Sequence, residues 1–539
     1  MSSISLRKAL GVLAKSSSFS VKTTTDRGRD IYDDLKDYLY VSPEIENDFK
    51  KCLSALQLGE CVFLCGSSGD GKSEILSRYY DVYKNKYTFH LDATHSFSPN
   101  QTAIEALNEL FDKAGEKSPP LVVGINIGML ANFAKEGAKR HSDLRAVIEK
   151  FLDGGKRKYG PYYFMDFESY PMFRFNDEMG SYSSFIRRLL KKLTQPIDEN
   201  LFHVIARNDE LRQRDMRITA NFRLLANEQV QDVIITTLFK TRLIKAQFIT
   251  TRALLDLLYQ LLVGEHYLFD NLFLTQTNEL SLRIAEFDPA LIHTQNIDQF
   301  VLRYELNLPD FELDTFITEL AGHGIVYTEP RGTFGQAASL LRIFYCLKDS
   351  NFSNNYHHQF KEDFEESLLC HYSSIWLQHS QYLGDNENQL ALRNFYVKEL
   401  IPAIFAYANR STSGLSKREL SLGKFGQCLI TAPVDLNADF GAIKLQHIEK
   451  HDHFTAFLKI NDQPLKPLKI NLNLFELICK LNDGYRPSKY DKNAIIFLDE
   501  IVEQIRTAAK KSNVLNYYEN DKSYRLGLDD KMITVEGAI

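Results

Sequence analysis

The chain has 539 residues, too many for one hydrophobic core, so several domains are expected. Apolar residues make up 44% and charged residues 25%, which excludes a chain disordered throughout, and a net charge of −6 does not mark a nucleic-acid binder that uses its whole surface. No apolar run reaches the roughly 18–20 residues that span a bilayer, and Arg7, Lys8 and Lys15 stand among scattered Leu and Val without the apolar core of a secretory signal, so neither a membrane span nor export is expected.

Residues 26–56 read as helical, with Ser42 as N-cap, Pro43 at the first helical position and Glu44 near the positive helix end. Cys61 to Cys65 is an apolar run of strand length, followed by a Gly/Ser loop and a helix over Ser73 to Tyr83. Strands are then predicted at Tyr87 to Asp92, Leu121 to Ile127 and Tyr162 to Phe167, with helices at Gln101 to Lys113 and Asp143 to Leu152. This alternation predicts a parallel sheet covered by helices on both faces.

From Asp198 the pattern turns helical and reaches an amphipathic helix at Thr251 to Val263, placed to act as a lid. Helical composition continues through Ala338 to Leu383 and Leu392 to Ala408. After Lys424, short β-like runs at Phe454 to Ile460 and Leu468 to Leu472 flank a turn at Asn461 to Pro464. The expected division is an N-terminal helical extension (1–55), an α/β domain (56–197), a helical lid-like region (198–290), a mostly helical middle domain (291–425) and a small C-terminal α+β domain (426–539). Seven cysteines without a CxxC pair suit a reducing cytoplasm and argue against disulfides or structural zinc.

Gly66-Ser67-Ser68-Gly69-Asp70-Gly71-Lys72-Ser73 satisfies GxxxxGK[ST] between a strand and a helix start, the context a phosphate-cradling loop requires. Its glycines let consecutive N–H groups turn inward onto phosphate oxygens, and the following helix adds its positive end. Lys72 is expected to reach the β- and γ-phosphates and Ser73 to give its hydroxyl to Mg²⁺, which makes ATP and Mg²⁺ the expected ligands. The fold expected around this motif is an α/β P-loop NTPase with an AAA/ASCE-like parallel sheet. A glycine-rich turn without phosphate chemistry is the plain alternative.

The acid that completes the metal site is less legible. Asp92, Asn126, and Asp166 with Glu168 all end predicted strands. Asp92 is the candidate magnesium-side carboxylate, with Asp166 or Glu168 as rivals. Asn126 is the candidate γ-phosphate sensor, because a neutral amide holds an attacking water without repelling phosphate; its rival role is to satisfy the turn that Gly128 opens. Arg252, at the start of the lid-like helix, is a candidate second sensor acting as an arginine finger does, against the alternative of a surface arginine.

Ile495 to Glu500 spells a Walker B string, yet Ile495, Leu498, Ile501, Val502 and Ile505 recur at helical spacing, and a Walker B acid belongs on a strand. Arg187, Arg188, Lys191 and Lys192 share a predicted helix face, and Lys156-Arg157-Lys158 sits in a glycine-flanked loop; both are candidate DNA-phosphate contacts or simply solvated faces. His447, His451 and His453 would share one side of a strand, but no carboxylate or cysteine partner accompanies them. No nuclease constellation is evident.

The phosphate loop together with His90 to Ser96, Val123 to Leu130, Asp166 to Pro171, Thr251 to Asp256, Leu474 to Ile478 and Gly484 to Pro487 resembles the DptF (DndF) family of DNA phosphorothioation-dependent restriction proteins, over essentially the whole chain. The resemblance implies a bacterial, cytoplasmic ATP-binding and ATP-hydrolysing subunit. It implies work with DptG-like and DptH-like subunits on double-stranded DNA that lacks phosphorothioate. The family's Walker B acid has no clean match. The alternative is a nucleotide-binding scaffold or a DNA-sensing subunit with little turnover of its own.

Overall fold

The computed structural model describes residues 4–15, 30–92, 101–115, 117–175, 181–245, 247–327, 332–365, 367–412, 415, 418–426, 428–446, 453–460, 462–519, 522–529 and 532–537. It divides into two compact units, the first built from residues 1–173, 182–241 and 247–365 and the second from 174–181, 242–246 and 366–539. The region expected as one helical middle domain, 291–425, is therefore shared between them.

The first unit opens with a short helix, α1 (Leu6–Leu10), then α2 (Ile31–Leu39) and α3 (Glu44–Ala55). Pro43, not Ser42, takes the N-cap position of α3 and provides no side-chain cap. The α/β part follows as β1 (Cys61–Gly66), α4 (Lys72–Tyr83), β2 (Thr88–His90), α5 (Ala103–Asp112), β3 (Leu121–Asn126), α6 (Ile127–Glu136), α7 (Ser142–Leu152), β4 (Lys158–Tyr159) and β5 (Tyr162–Asp166). The sheet order is β2-β3-β1-β5-β4, with β2, β3, β1 and β5 parallel and β4 antiparallel at one edge.

Every residue of β1 is buried, so the strand serves two cores by simple alternation. Cys61, Phe63 and Cys65 pack with Leu107 and Phe111 of α5, Phe133 of α6 and Ile148 of α7. Val62 and Leu64 point the other way, onto Ile45 and Phe49 of α3 and Ile75 and Leu76 of α4. Phe63 also stacks on Phe164 of β5 with ring centroids 5.0 Å apart. A central strand clamped this way fixes where its C-terminal end, and hence the loop that follows, must lie.

The rest of the first unit is helical: α8 (Ser184–Thr194), α9 (Leu201–Leu211), α10 (Met216–Ala226), α11 (Glu228–Ile244), α12 (Thr251–Val263), α13 (Leu268–Leu274), α14 (Glu279–Ala285), α15 (Gln295–Glu305), α16 (Phe311–Gly322) and α17 (Gln336–Leu347). In the second unit, helices such as Ser367–Gln381, Leu472–Asn482 and Lys492–Ala509 accompany a five-stranded antiparallel sheet. Its strands run in the order Met532–Glu536, Lys522–Asp529, Val514–Glu519, Cys428–Pro433, Glu419–Phe425. The Walker B string lies inside the helix Lys492–Ala509, with Leu498, Ile501, Val502 and Ile505 buried and Asp499 accepting from the Tyr407 hydroxyl at 2.7 Å. No helix among the described residues is long and apolar enough to cross a membrane.

Candidate functional site

Strand register brings the candidate residues to one edge of the sheet. Gly66, the last residue of β1, pairs with Asn126 of β3, and Cys65 pairs with Asp166 of β5. Asp92 follows the end of β2 by two residues. One strand, β3, stands between the loop-bearing β1 and the strand that leads to Asp92.

The loop between β1 and α4 depends on its glycines. Gly69 and Gly71 have φ of 92° and 99°, a region that side chains strain to enter. A Cβ on Gly66 would lie 2.7 Å from the Asp70 carboxylate and 2.9 Å from the Phe167 ring. The space above Gly66 is filled because Asp70 folds back to accept from the Ser67 N–H. Burial pushes the Asp70 carboxyl up to about 6, against the pull of the Ser67 N–H and the Lys72 ammonium, with Asp166 and Glu168 adding to the rise. Lys72 Nζ donates to the carbonyls of Gly66 at 3.0 Å and Ser67 at 2.6 Å, which holds the ammonium across the mouth of the loop. Burial lowers its pKa, opposed by Asp70 and Asp92.

Helix α12 is seated on the same loop. Thr250 caps it by accepting from the Ala253 N–H at 3.1 Å. The first-turn N–H of Arg252, which has no partner within a helix, donates to the Gly69 carbonyl at 3.1 Å, and the Thr251 hydroxyl donates to the Asp70 carbonyl at 3.3 Å. The absent Cβ of Gly69 leaves the room for this contact, since it would stand 3.1 Å from Arg252 Cβ. The Arg252 side chain is exposed, and among the described residues its guanidinium has no carboxylate partner.

These elements enclose a cavity of about 420 Å³. Ser68 to Ser73, Asp92, Asn126 and Arg252 all line it; Asp166 and Glu168 do not line it and sit on the Asp70 side of the loop instead. Asp166 accepts from the Glu168 N–H at 3.0 Å and so caps the turn at Phe167–Ser169. Asn126 Oδ1 accepts from the Met129 N–H at 2.6 Å, which makes it the N-cap of α6. Its carbonyl end is therefore committed to the helix, and its NH₂ is the group it can offer a ligand.

Comparison with protein-family models, with curated proteins and with solved structures finds no match to this chain.

The basic face expected to contact DNA is largely stitched into the protein. On α8, Arg187 pairs with Asp232, Arg188 donates to the Ser42 carbonyl at 3.1 Å, and Lys192 donates to the carbonyls of Tyr38 at 3.0 Å and Tyr40 at 2.7 Å. The C-terminal end of α2 leaves carbonyls without helical partners, and these cations satisfy them. Arg157 stacks on Tyr170 and Lys158 pairs with Tyr163. Of the three clustered histidines, His447 and His451 lie outside the described residues.

The rest of the cavity lining has no signature in the sequence. It includes Val12 to Lys15, Lys36, Leu39, Tyr40 and Val41, and Phe185 and Leu189 of α8. None of these belongs to a motif; only the fold brings them to the loop.

Proposed function

We propose that the Gly66–Ser73 loop grips the polyphosphate of ATP and that the chain is the ATP-binding, ATP-hydrolysing subunit of a DptFGH (DndFGH)-like restriction system acting on DNA without phosphorothioate. One observation carries the nucleotide part: a glycine-dependent corner from a buried strand into a helix, with Lys72, Ser73, Asp92, Asn126 and Arg252 around a single cavity. The assignment to restriction, its DptG-like and DptH-like partners, duplex DNA and a bacterial cytoplasm rest on the family resemblance of the residues quoted above.

The donor set suits a magnesium nucleotide. Ser73 and Asp92 offer hard oxygen ligands, and Mg²⁺ is usually held by one or two such groups plus phosphate oxygens. The ion would neutralise charge as the γ-phosphoryl group departs. Lys72 exchanges the Gly66 and Ser67 carbonyls for phosphate oxygens, so its ammonium is already aimed at the loop it serves. Arg252 reaches the same cavity from α12, while its main chain holds Gly69.

Asp92 is the magnesium-side acid in this reading because it lines the cavity, whereas Asp166 caps a turn. Asp92→Asn is expected to keep Mg·ATP binding and to lose phosphate release in a coupled-enzyme assay. Release at the wild-type rate would move the role to Asp166 or Glu168.

The commitment of Asn126 to the α6 cap favours a second reading, an ATP-binding scaffold with little turnover. Phosphate release by the isolated chain, compared with release in the presence of partners and unmodified duplex, separates the two.

Asp70 gives the site a pH dependence. Its carboxyl ionises near pH 6, so the loop gains a negative charge as pH rises through that value and repels polyphosphate more. Mg·ATP affinity is expected to fall several-fold from pH 5.5 to pH 7.5 in the wild type, beyond any change in Asp70→Asn measured in parallel. Equal pH slopes in the two proteins would remove Asp70 from this role.

A further inference from the structure

The cavity does not end at the phosphate loop. Besides Lys72 and the loop from Ser68 to Ser73, its lining includes Val12, Leu13, Ala14 and Lys15 of the N-terminal segment, Lys36 and Leu39 of α2, Val41 just after that helix, and Leu189 of α8. Val12, Leu13 and Ala14 are all buried, as are Leu39, Val41 and Leu189. A site that combines the polar loop with a group of apolar side chains, in a volume of about 420 Å³ that falls inside the roughly 300–1,000 Å³ range of small-molecule pockets, matches a ligand with a charged tail and a flat, weakly polar head.

The geometry points to Val12–Lys15, the end of the N-terminal segment Leu6–Lys15, as a wall of a base subsite, which makes the ligand a nucleoside triphosphate and not a bare polyphosphate. The inference rests on the phosphate-loop reading above and adds what selects the rest of the molecule.

The segment is tied down by carboxylates of three helices far along the chain. The Leu6 N–H donates to Asp209 of α9 at 2.6 Å, and Arg7 pairs with Asp215, beside α10, at 3.1 Å. The Lys15 N–H donates to Asp256 of α12 at 3.0 Å. Asp256 also accepts from Asn278 at 3.2 Å, so both its oxygens are used. Helix α12 thus holds the phosphate loop with its first turn and the end of the N-terminal segment one turn later. Another wall is equally fixed. Lys192 holds the Tyr38 and Tyr40 carbonyls, the Tyr40 hydroxyl donates to Glu46 at 2.7 Å, and the Arg78 guanidinium lies 3.4 Å from the Tyr40 ring centroid. Walls built in advance cost a ligand little ordering.

The test compares two probes, Mg·ATP and magnesium tripolyphosphate, by calorimetry on the full chain. Leu13→Glu places a charge in the apolar wall. Asp256→Asn leaves the cavity lining alone and, at one of the three carboxylates that position the segment, replaces one of two acceptor oxygens by a donor where Lys15 N–H and Asn278 both donate, which keeps the test valid should Leu13→Glu disturb folding in a melting control. Both variants are expected to bind Mg·ATP at least about tenfold more weakly while binding tripolyphosphate as the wild type does. Unchanged ATP affinity in both variants, or equal losses for both probes, overturns the base subsite. A wild-type chain that binds tripolyphosphate as tightly as ATP overturns it too and leaves the phosphate loop standing. A wild-type chain that binds neither probe takes down the phosphate-loop reading, and this inference with it.

Discussion

Lys72→Ala is expected to weaken Mg·ATP binding by at least about a hundredfold, equivalent to roughly 3 kcal/mol, the scale of hydrogen bonds made by a charged group. The lysine is the one residue of the loop whose side chain both carries charge and reaches across its mouth, as its bonds to the Gly66 and Ser67 carbonyls record. Alanine leaves the amide cradle in place but takes away the cation that balances it against a polyanion. Lys72→Arg is not expected to rescue, because a planar guanidinium does not fit where a compact ammonium bridges two adjacent carbonyls. Calorimetry with a thermal-melting control checks both variants; an affinity within a few-fold of wild type would contradict the assignment.

The second large effect concerns the helical part of the same unit. Arg342 on α17 makes a two-pronged contact with Asp288, at 3.0 and 2.7 Å, and a third bond at 2.9 Å to Asp270 on α13. All three side chains are about nine-tenths buried. Ser339 donates to the other oxygen of Asp270 at 2.7 Å. Removing the cation leaves two buried carboxylates unpaired, which costs about 3–5 kcal/mol in comparable cases. Arg342→Ala is therefore expected to lower the urea midpoint of the far-UV dichroism transition sharply. The double change Arg342→Met with Asp270→Asn should recover part of the loss, because one of the stranded charges is gone. A midpoint shift that, multiplied by the slope of the transition, amounts to under about 0.5 kcal/mol, the level of an ordinary surface substitution, would mean the triad contributes little.

How far the sequence speaks for the fold varies by element, and the reasons are physical. Cys61 to Gly66 is readable because a strand buried on both faces needs an unbroken apolar run and the loop after it needs glycine where φ is positive. The Ile495–Glu500 string is readable as helix from its own spacing. Thr250 at the head of α12 is a local cap with a local signature.

Helix α6 was not separable from the end of β3, because Gly128 reads as a turn. Asn126 with Leu130, Phe133 and Ala134 is the cap-and-face pattern that would have marked it. The basic face of α8 misleads for a different reason: Arg188 and Lys192 are held by main-chain carbonyls at Ser42, Tyr38 and Tyr40, which carry no sequence signal, and Arg187 by Asp232, 45 positions away. The N-terminal wall was invisible on both counts. Its helix is five residues long, and its anchors Asp209, Asp215 and Asp256 lie more than two hundred positions away.

Amide hydrogen exchange on adding Mg·ATP asks most directly whether this corner of the chain holds the nucleotide. Slowed exchange is expected in peptides covering 66–77 and in those covering 250–256, in the wild type and not in Lys72→Ala. Saturating Mg·ATP that leaves 66–77 unprotected, or that protects some other segment instead, would contradict a phosphate site at the turn from β1 into α4.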